Sequence, residues 1–166
     1  MRNIVLIGMP GCGKSTLGRY LAEILDRDFI DADPEIEKDA GKTIPELFAV
    51  SEDCFREQET KTVKRLAGLQ GKVLAMGGGV VLRRENIENL KKNGTIIFLD
   101  RSPGDIAGDV DTETRPLLAA GRKRIYDLYA QREALYREAA DVTVRNKGTL
   151  KETLQRLVEA AKQAGG

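Results

Sequence analysis

The stretch "GMPGCGKST", residues 8–16, sets a lysine and two hydroxyl side chains directly behind Gly8, Gly11 and Gly13. It follows an apolar run, "NIVLI". Glycine weakens strands and helices, so this clustering needs a purpose. Peptides without Cβ atoms can curl their N–H groups around phosphate oxygens, and a helix starting near Lys14 turns its positive end to the same anion. The spacing satisfies G-x-x-x-x-G-K-[ST]. In that pattern the lysine reaches the β- and γ-phosphates and the following hydroxyl serves Mg²⁺. Gly11, Cys12, Gly13, Lys14, Ser15 and Thr16 are therefore candidates for holding a nucleoside triphosphate. Cys12, at the positive end of the helix and near Lys14, is expected to have a lowered pKa and to be reachable by thiol reagents.

Other stretches could receive the phosphate. In "DFIDAD", read as a strand over 28–33, the period of two puts Asp31 and Asp33 on one side. Two neighbouring carboxylates are tolerated where Mg²⁺ or a substrate hydroxyl lies between them. A turn and helix cap before Pro34 is the competing reading for Asp33. On a helix over 52–68, Phe55, Glu59, Val63 and Leu66 share a stripe, with Arg56 as the natural partner of Glu59. An ordinary surface pair would look the same. On a helix over 122–139, Arg132 falls within the row Ile125, Leu128, Tyr129, Leu135 and Tyr136. A carboxylate ligand would pair such a guanidinium bidentately, and a buried structural ion pair would also satisfy it. Gly77, Gly78 and Gly79 end a strand and would let a ligand lie on the backbone, or form a plain turn.

These residues need a scaffold. Strands are expected at 3–7, 28–33, 72–76, 95–100 and 141–144. Helices are expected at 14–25, 34–41, 43–50, 52–68, 84–92, 122–139 and 149–163, with 102–121 mostly loop. Strands alternating with helices imply an α/β fold, a five-stranded parallel sheet with helices on both faces. Ligands in such folds bind at the carboxyl ends of the strands.

Composition narrows the chemistry. Lys plus Arg is 27 and Asp plus Glu is 26 in 166 residues. That balance argues against nucleic acid or an anionic membrane as main partner. Histidine is absent, which removes imidazole catalysis and His metal sites. The two cysteines, Cys12 and Cys54, form no disulfide framework. With no signal-like or spanning stretch, a cytoplasmic setting is expected.

Taken in order, "GMPGCGKST", "DAD", "FREQE", "GGG", "RPLL" and the R-x-x-L-Y of Arg132 to Tyr136 resemble the shikimate kinases. These are small P-loop kinases of the nucleoside monophosphate kinase type, and the resemblance covers nearly the whole chain. It implies a P-loop NTPase fold as one domain over 1–166, with a mobile lid at about 104–121 and substrate-binding helices at about 34–68. It implies ATP and Mg²⁺, with Ser15 and Asp31 on the metal side. Asp33 would bind the acceptor hydroxyls. Arg56 and Arg132 would clamp the shikimate carboxylate, Glu59 orienting Arg56, over a floor of Gly77, Gly78 and Gly79. Arg115 in "RPLL" would reach the nucleotide and the transferring phosphate, joining Lys14 and Asp33 in catalysis. The implied reaction gives shikimate 3-phosphate and ADP, a step toward chorismate and aromatic amino acids. The implied protein is a monomer without nucleic-acid or membrane partner.

Two departures stand out. The segment before Phe55 is one residue shorter than the family pattern, with Ser51 in the usual glycine place. Gly108 occupies the position of a frequent adenine-side arginine. "TIIFLD" mimics a metal-binding strand end, but Asp100 is read as a helix cap before Pro103. Arg122, Lys123 and Arg124 read as a solvated helix start. The alternatives are a kinase for gluconate or a nucleoside monophosphate, or a nucleotide-binding regulatory protein without catalysis. Only 5% aromatic residues disfavours a nucleotide acceptor.

Overall fold

The structure, a computed structural model, describes residues 1–110 and 118–164, without the side chains of 110 and 118–120. The strands are β1 (Asn3–Ile7), β2 (Phe29–Asp31), β3 (Val73–Ala75), β4 (Gly94–Asp100) and β5 (Val142–Arg145). They form a five-stranded sheet in the order β2-β3-β1-β4-β5, every pairing parallel. All residues of β1, β3 and β4 are buried, as strands covered on both faces must be. The helices are α1 (Lys14–Ile24), α2 (Ala32–Ala40), α3 (Ile44–Val50), α4 (Glu52–Ala67), α5 (Arg84–Lys92), α6 (Pro103–Val110), α7 (Leu118–Ala139) and α8 (Leu150–Gln163). α1 packs on α8, while α4 packs on α2, α3 and α5.

β1 lies between β3 and β4, so the chain leaves it toward one half of the sheet and later fills the other. A crevice opens at the carboxyl end of such a strand. The loop after β1 must turn sharply there. Gly8 has φ +151°, and a Cβ on it would stand 2.7 Å from the Leu99 carbonyl oxygen. Only glycine fits that approach.

Two expected elements are corrected. The strand expected over 28–33 ends at Asp31, and α2 begins at Ala32, so Asp31 and Asp33 do not share a strand face. Asp31 caps α2 instead, accepting a hydrogen bond from the Asp33 N–H at 3.2 Å. Nor is 102–121 mostly loop: α6 covers Pro103–Val110 and α7 already starts at Leu118. Three apolar residues sufficed for α6, because Ile106 and Ala107 are buried on one side. Arg122, Lys123 and Arg124 are exposed, but in the second turn of α7 rather than at its start. Among the described residues no helix is long and apolar enough to cross a membrane.

Candidate active site

A cleft of about 600 Å³ lies at the carboxyl ends of β1, β2 and β3. Its walls include Gly11, Gly13, Lys14, Ser15, Thr16, Asp31, Asp33, Gly77, Gly78, Arg101 and Asp109. The cleft thus brings the glycines, lysine and hydroxyls of the loop together with Asp31, Asp33, Gly77 and Gly78, whereas Cys12, Arg56, Glu59, Gly79 and Arg132 do not line it.

On the β1 side, Gly13 caps α1 with φ 100° and no side chain capping the helix. The first N–H groups of α1 are left for an anion, and the helix dipole favours one. The carbonyls of the loop are held from elsewhere. Lys14 Nζ donates to the Gly8 and Met9 carbonyls at 2.8 and 2.9 Å. Asn146 Nδ2 donates to the Cys12 carbonyl at 2.8 Å, and Thr153 Oγ1 steadies Asn146 by donating to its Oδ1 at 3.1 Å. Ser15 Oγ donates to Asp31 Oδ2 at 3.0 Å. A hydroxyl and a carboxylate thus stand side by side, the hard oxygen donors that suit Mg²⁺ when phosphates and water complete its shell.

Cys12 does not behave as the sequence suggests. Its side chain is fully buried. Burial pushes the thiol pKa up, and the nearby Lys14 only partly offsets this. A thiolate withdrawn from water loses more solvation than one lysine returns. The sulfur packs under Gly8, 2.8 Å from where a Cβ would sit.

On the acceptor side, Asp33 opens toward the cleft, yet protein atoms crowd its other flanks. That desolvation, and next the charge of Asp31, push its carboxyl above the usual range, with Lys14 working the other way. Glu59, 2% exposed, is also pushed up by burial and held back by Arg56, whose Nη1 donates to Oε1 at 2.9 Å. Arg56 Nε is buried without a hydrogen-bond partner among the described residues. It keeps only a loose ion pair with Glu52, at 3.5 Å. A buried donor in that condition is costly unless a ligand meets it.

The glycine run explains this crowding. A Cβ on Gly79 would come 2.3 Å from Arg56 Nη1. One on Gly77 would meet Asp33 Oδ1 at 3.3 Å and Glu59 Oε2 at 3.4 Å. The glycines therefore let side chains from α2 and α4 close over the backbone, where the sequence suggested only room for ligand. Tyr136 pins this floor: its hydroxyl, fully buried, donates to the Gly78 carbonyl at 2.6 Å. Arg132 lies close enough for its charge to work against the upward shifts that burial gives Tyr136 and Glu59. Arg132 is half-buried rather than embedded in a core row, and Leu135, in that same row, is exposed.

Arg115 lies outside the described residues, as do residues 111–117 of the expected lid. Asp100 stays away from the cleft wall, as expected of a decoy, but it caps no helix. Ser102 Oγ takes the Asp105 N–H at 3.1 Å, while Asp100 accepts from Tyr129 and Arg137. Ser51, at the shortened segment, caps α4 by accepting the Cys54 N–H at 2.9 Å. Sequence reasoning missed Arg101, Asn146 and the role of Tyr136. Arg101 and Asn146 directly follow β4 and β5, and their place at the ligand end of the sheet was the available signal.

A glycine-rich loop with Lys14 ahead of a helix, beside a cleft lined by Asp31 and Asp33 at the switch point of a parallel sheet, is the arrangement of a P-loop kinase. The comparisons carry this further. The family model for shikimate kinase matches residues 10–162. A shikimate kinase of Clostridium beijerinckii is 50% identical over 147 residues, covering 88% of this chain and 87% of its own length. One of Clostridium botulinum is 47% identical over 155 residues, covering 93% and 94%. The structure of a shikimate kinase from Acinetobacter baumannii in complex with shikimate superposes with a TM-score of 0.85 at 33% identity, covering 99% of this chain and 94% of that one. The chain belongs to the shikimate kinase family, and it is a phosphotransferase acting on an alcohol.

Proposed function

We propose that this protein transfers the γ-phosphoryl group of ATP to the 3-hydroxyl of shikimate, releasing shikimate 3-phosphate and ADP. The observation that carries this reading is the position of Asp33. It lines the same cleft as Lys14 and Ser15, and stands 3.3 Å from a Cβ built on Gly77, beneath Arg56 and Glu59. The P-loop N–H groups and Lys14 hold the phosphates. The orphaned Nε of Arg56, with Arg132 close enough to act on Glu59, supplies donors for the shikimate carboxylate, a group that a nucleotide base lacks. Asp33 accepts a hydrogen bond from the attacking hydroxyl and takes its proton as the new P–O bond forms and ADP departs. Its raised pKa makes it a better base than an ordinary aspartate. Mg²⁺, held from Ser15 and Asp31, would neutralise charge on the phosphate oxygens. Arg115 is assigned to the transferring phosphate from its place in "RPLL". The same reading takes the protein as a monomer with a lid over 104–121.

The test is Asp33→Asn assayed by coupled ADP release and by calorimetry with ADP. Turnover should fall by ~10²–10⁴-fold, the usual worth of a positioned base. ADP affinity should stay within about threefold. Equal losses in both would remove Asp33 from the acceptor side.

A further inference from the structure

Arg101 is the first residue past β4. Its Nη1 donates to the Gly11 carbonyl at 2.9 Å and pairs with Asp109 Oδ2 on α6 at 2.5 Å. Both contacts use the same nitrogen. Lys14 and Arg101 are the cations among the described residues lining the cleft. The described helix beside it, α6, has the sequence "PGDIAGDV" and contributes no basic side chain. Gly108 in particular adds nothing: a Cβ there would meet no atom within 4 Å.

The Gly11 contact matters for the loop itself. The Gly8, Met9, Gly11 and Cys12 carbonyls are drawn away by Lys14, Arg101 and Asn146. The N–H in the same peptide as the Gly11 carbonyl is that of Cys12, which donates to the Met9 carbonyl at 3.1 Å, so the Arg101 contact fixes the guanidinium against the loop.

We infer that Arg101 is a nucleotide-positioning residue of this protein, anchored on the Gly11 carbonyl at the cleft wall and offering the remaining donors of its guanidinium fork to the phosphates. This rests on the reading that the loop holds a nucleotide. Asp109 then acts as a stand-in anion. The pair it forms with Arg101 is partly solvent-exposed, 22% and 68% for the two side chains. Such a pair contributes little net stability, so exchanging its carboxylate for a phosphate costs little. A planar fork also serves two acceptors where an ammonium serves as a point charge.

The test uses the full chain and ADP as the probe, by titration calorimetry, on wild type, Arg101→Ala, Arg101→Lys and Asp109→Asn, with urea unfolding alongside. Arg101→Ala should weaken ADP by roughly tenfold or more. Arg101→Lys should recover part of that loss, and Asp109→Asn should bind ADP as tightly as wild type or tighter. In the kinase assay Arg101→Ala should raise KM for ATP and leave KM for shikimate unchanged. ADP affinity within about twofold of wild type in Arg101→Ala would overturn the inference. So would an Asp109→Asn loss matching that of Arg101→Ala, since the pair would then be a brace and not a competitor. Failure of the wild type to bind ADP would instead fell the underlying reading of the loop, and the inference with it.

Discussion

Two arginine–carboxylate arrangements sit near the carboxyl edge of the sheet, and they are built differently. In one, Asp100 accepts Tyr129 on Oδ1 at 2.9 Å and Arg137 on Oδ2 at 2.9 Å. Arg137 spends further donors on Glu133, at 3.1 and 2.9 Å, and lies 5.3 Å over the Phe98 ring. Both carboxylate oxygens are used. In the other, Arg56 gives Nη1 to Glu59 and leaves Nε buried without a hydrogen-bond partner, its guanidinium 5.0 Å from the Phe55 ring centroid. A closed network holds α7 to β4. An open one beside a glycine floor keeps capacity for a ligand. Buried charge pairs add little net stability, so an incompletely satisfied one points to a use beyond folding.

The comparison breaks first at Arg56. Arg56→Ala should cost about 2–5 kcal/mol in shikimate recognition, a rise of at least ~30-fold in KM. KM for ATP should stay within about threefold, and Arg56→Lys should recover little because it lacks the fork. Steady-state kinetics with each substrate varied would check this; parallel rises in both KM values would make Arg56 structural.

Arg137→Ala should behave in the opposite way. Asp100 would keep the Tyr129 hydroxyl, and Arg137 is nearly half exposed, so the loss is about 1–2 kcal/mol of stability. That corresponds to a drop of roughly 2–8 °C in Tm. Both KM values should stay within about twofold of wild type. A large effect on shikimate KM would show that the two networks do not differ in kind.

The smallest effect sharpens the contrast through pH. Burial already raises the Glu59 pKa, and Arg56 holds it back. Without Arg56 the folded-state value climbs further above the unfolded one. The ionised form then costs stability above the folded pKa, and that cost fades as pH falls below the unfolded value. Unfolding free energies of Arg56→Ala and wild type from urea titrations should therefore converge between about pH 8 and about pH 4, by ~1 kcal/mol. A constant gap across that range would mean Glu59 does not carry the uncompensated charge.

Some of this was determined by local sequence. The phosphate cradle is written in consecutive residues, because a nest needs only backbone freedom and a following helix, and 8–16 supplies both. The pairing of Arg56 with Glu59 follows from helical spacing, and the alternation of strand and helix dictates a parallel sheet with a ligand crevice at one end. Tertiary structure decided the rest. Asp31 and Asp33 converge because the chain turns from strand into helix between them, a break their sequence spacing does not reveal. Asp100 is a brace because Arg137, distant in sequence, packs above it. The Gly77–Gly79 run is required by side chains arriving from α2 and α4. Cys12 is buried by its neighbours, which reverses the effect expected from Lys14 and the helix dipole. Arg101 reaches the cradle only because β4 lies beside β1. Each of these depends on what surrounds a group in space, since desolvation and close contact are set by neighbours far along the chain.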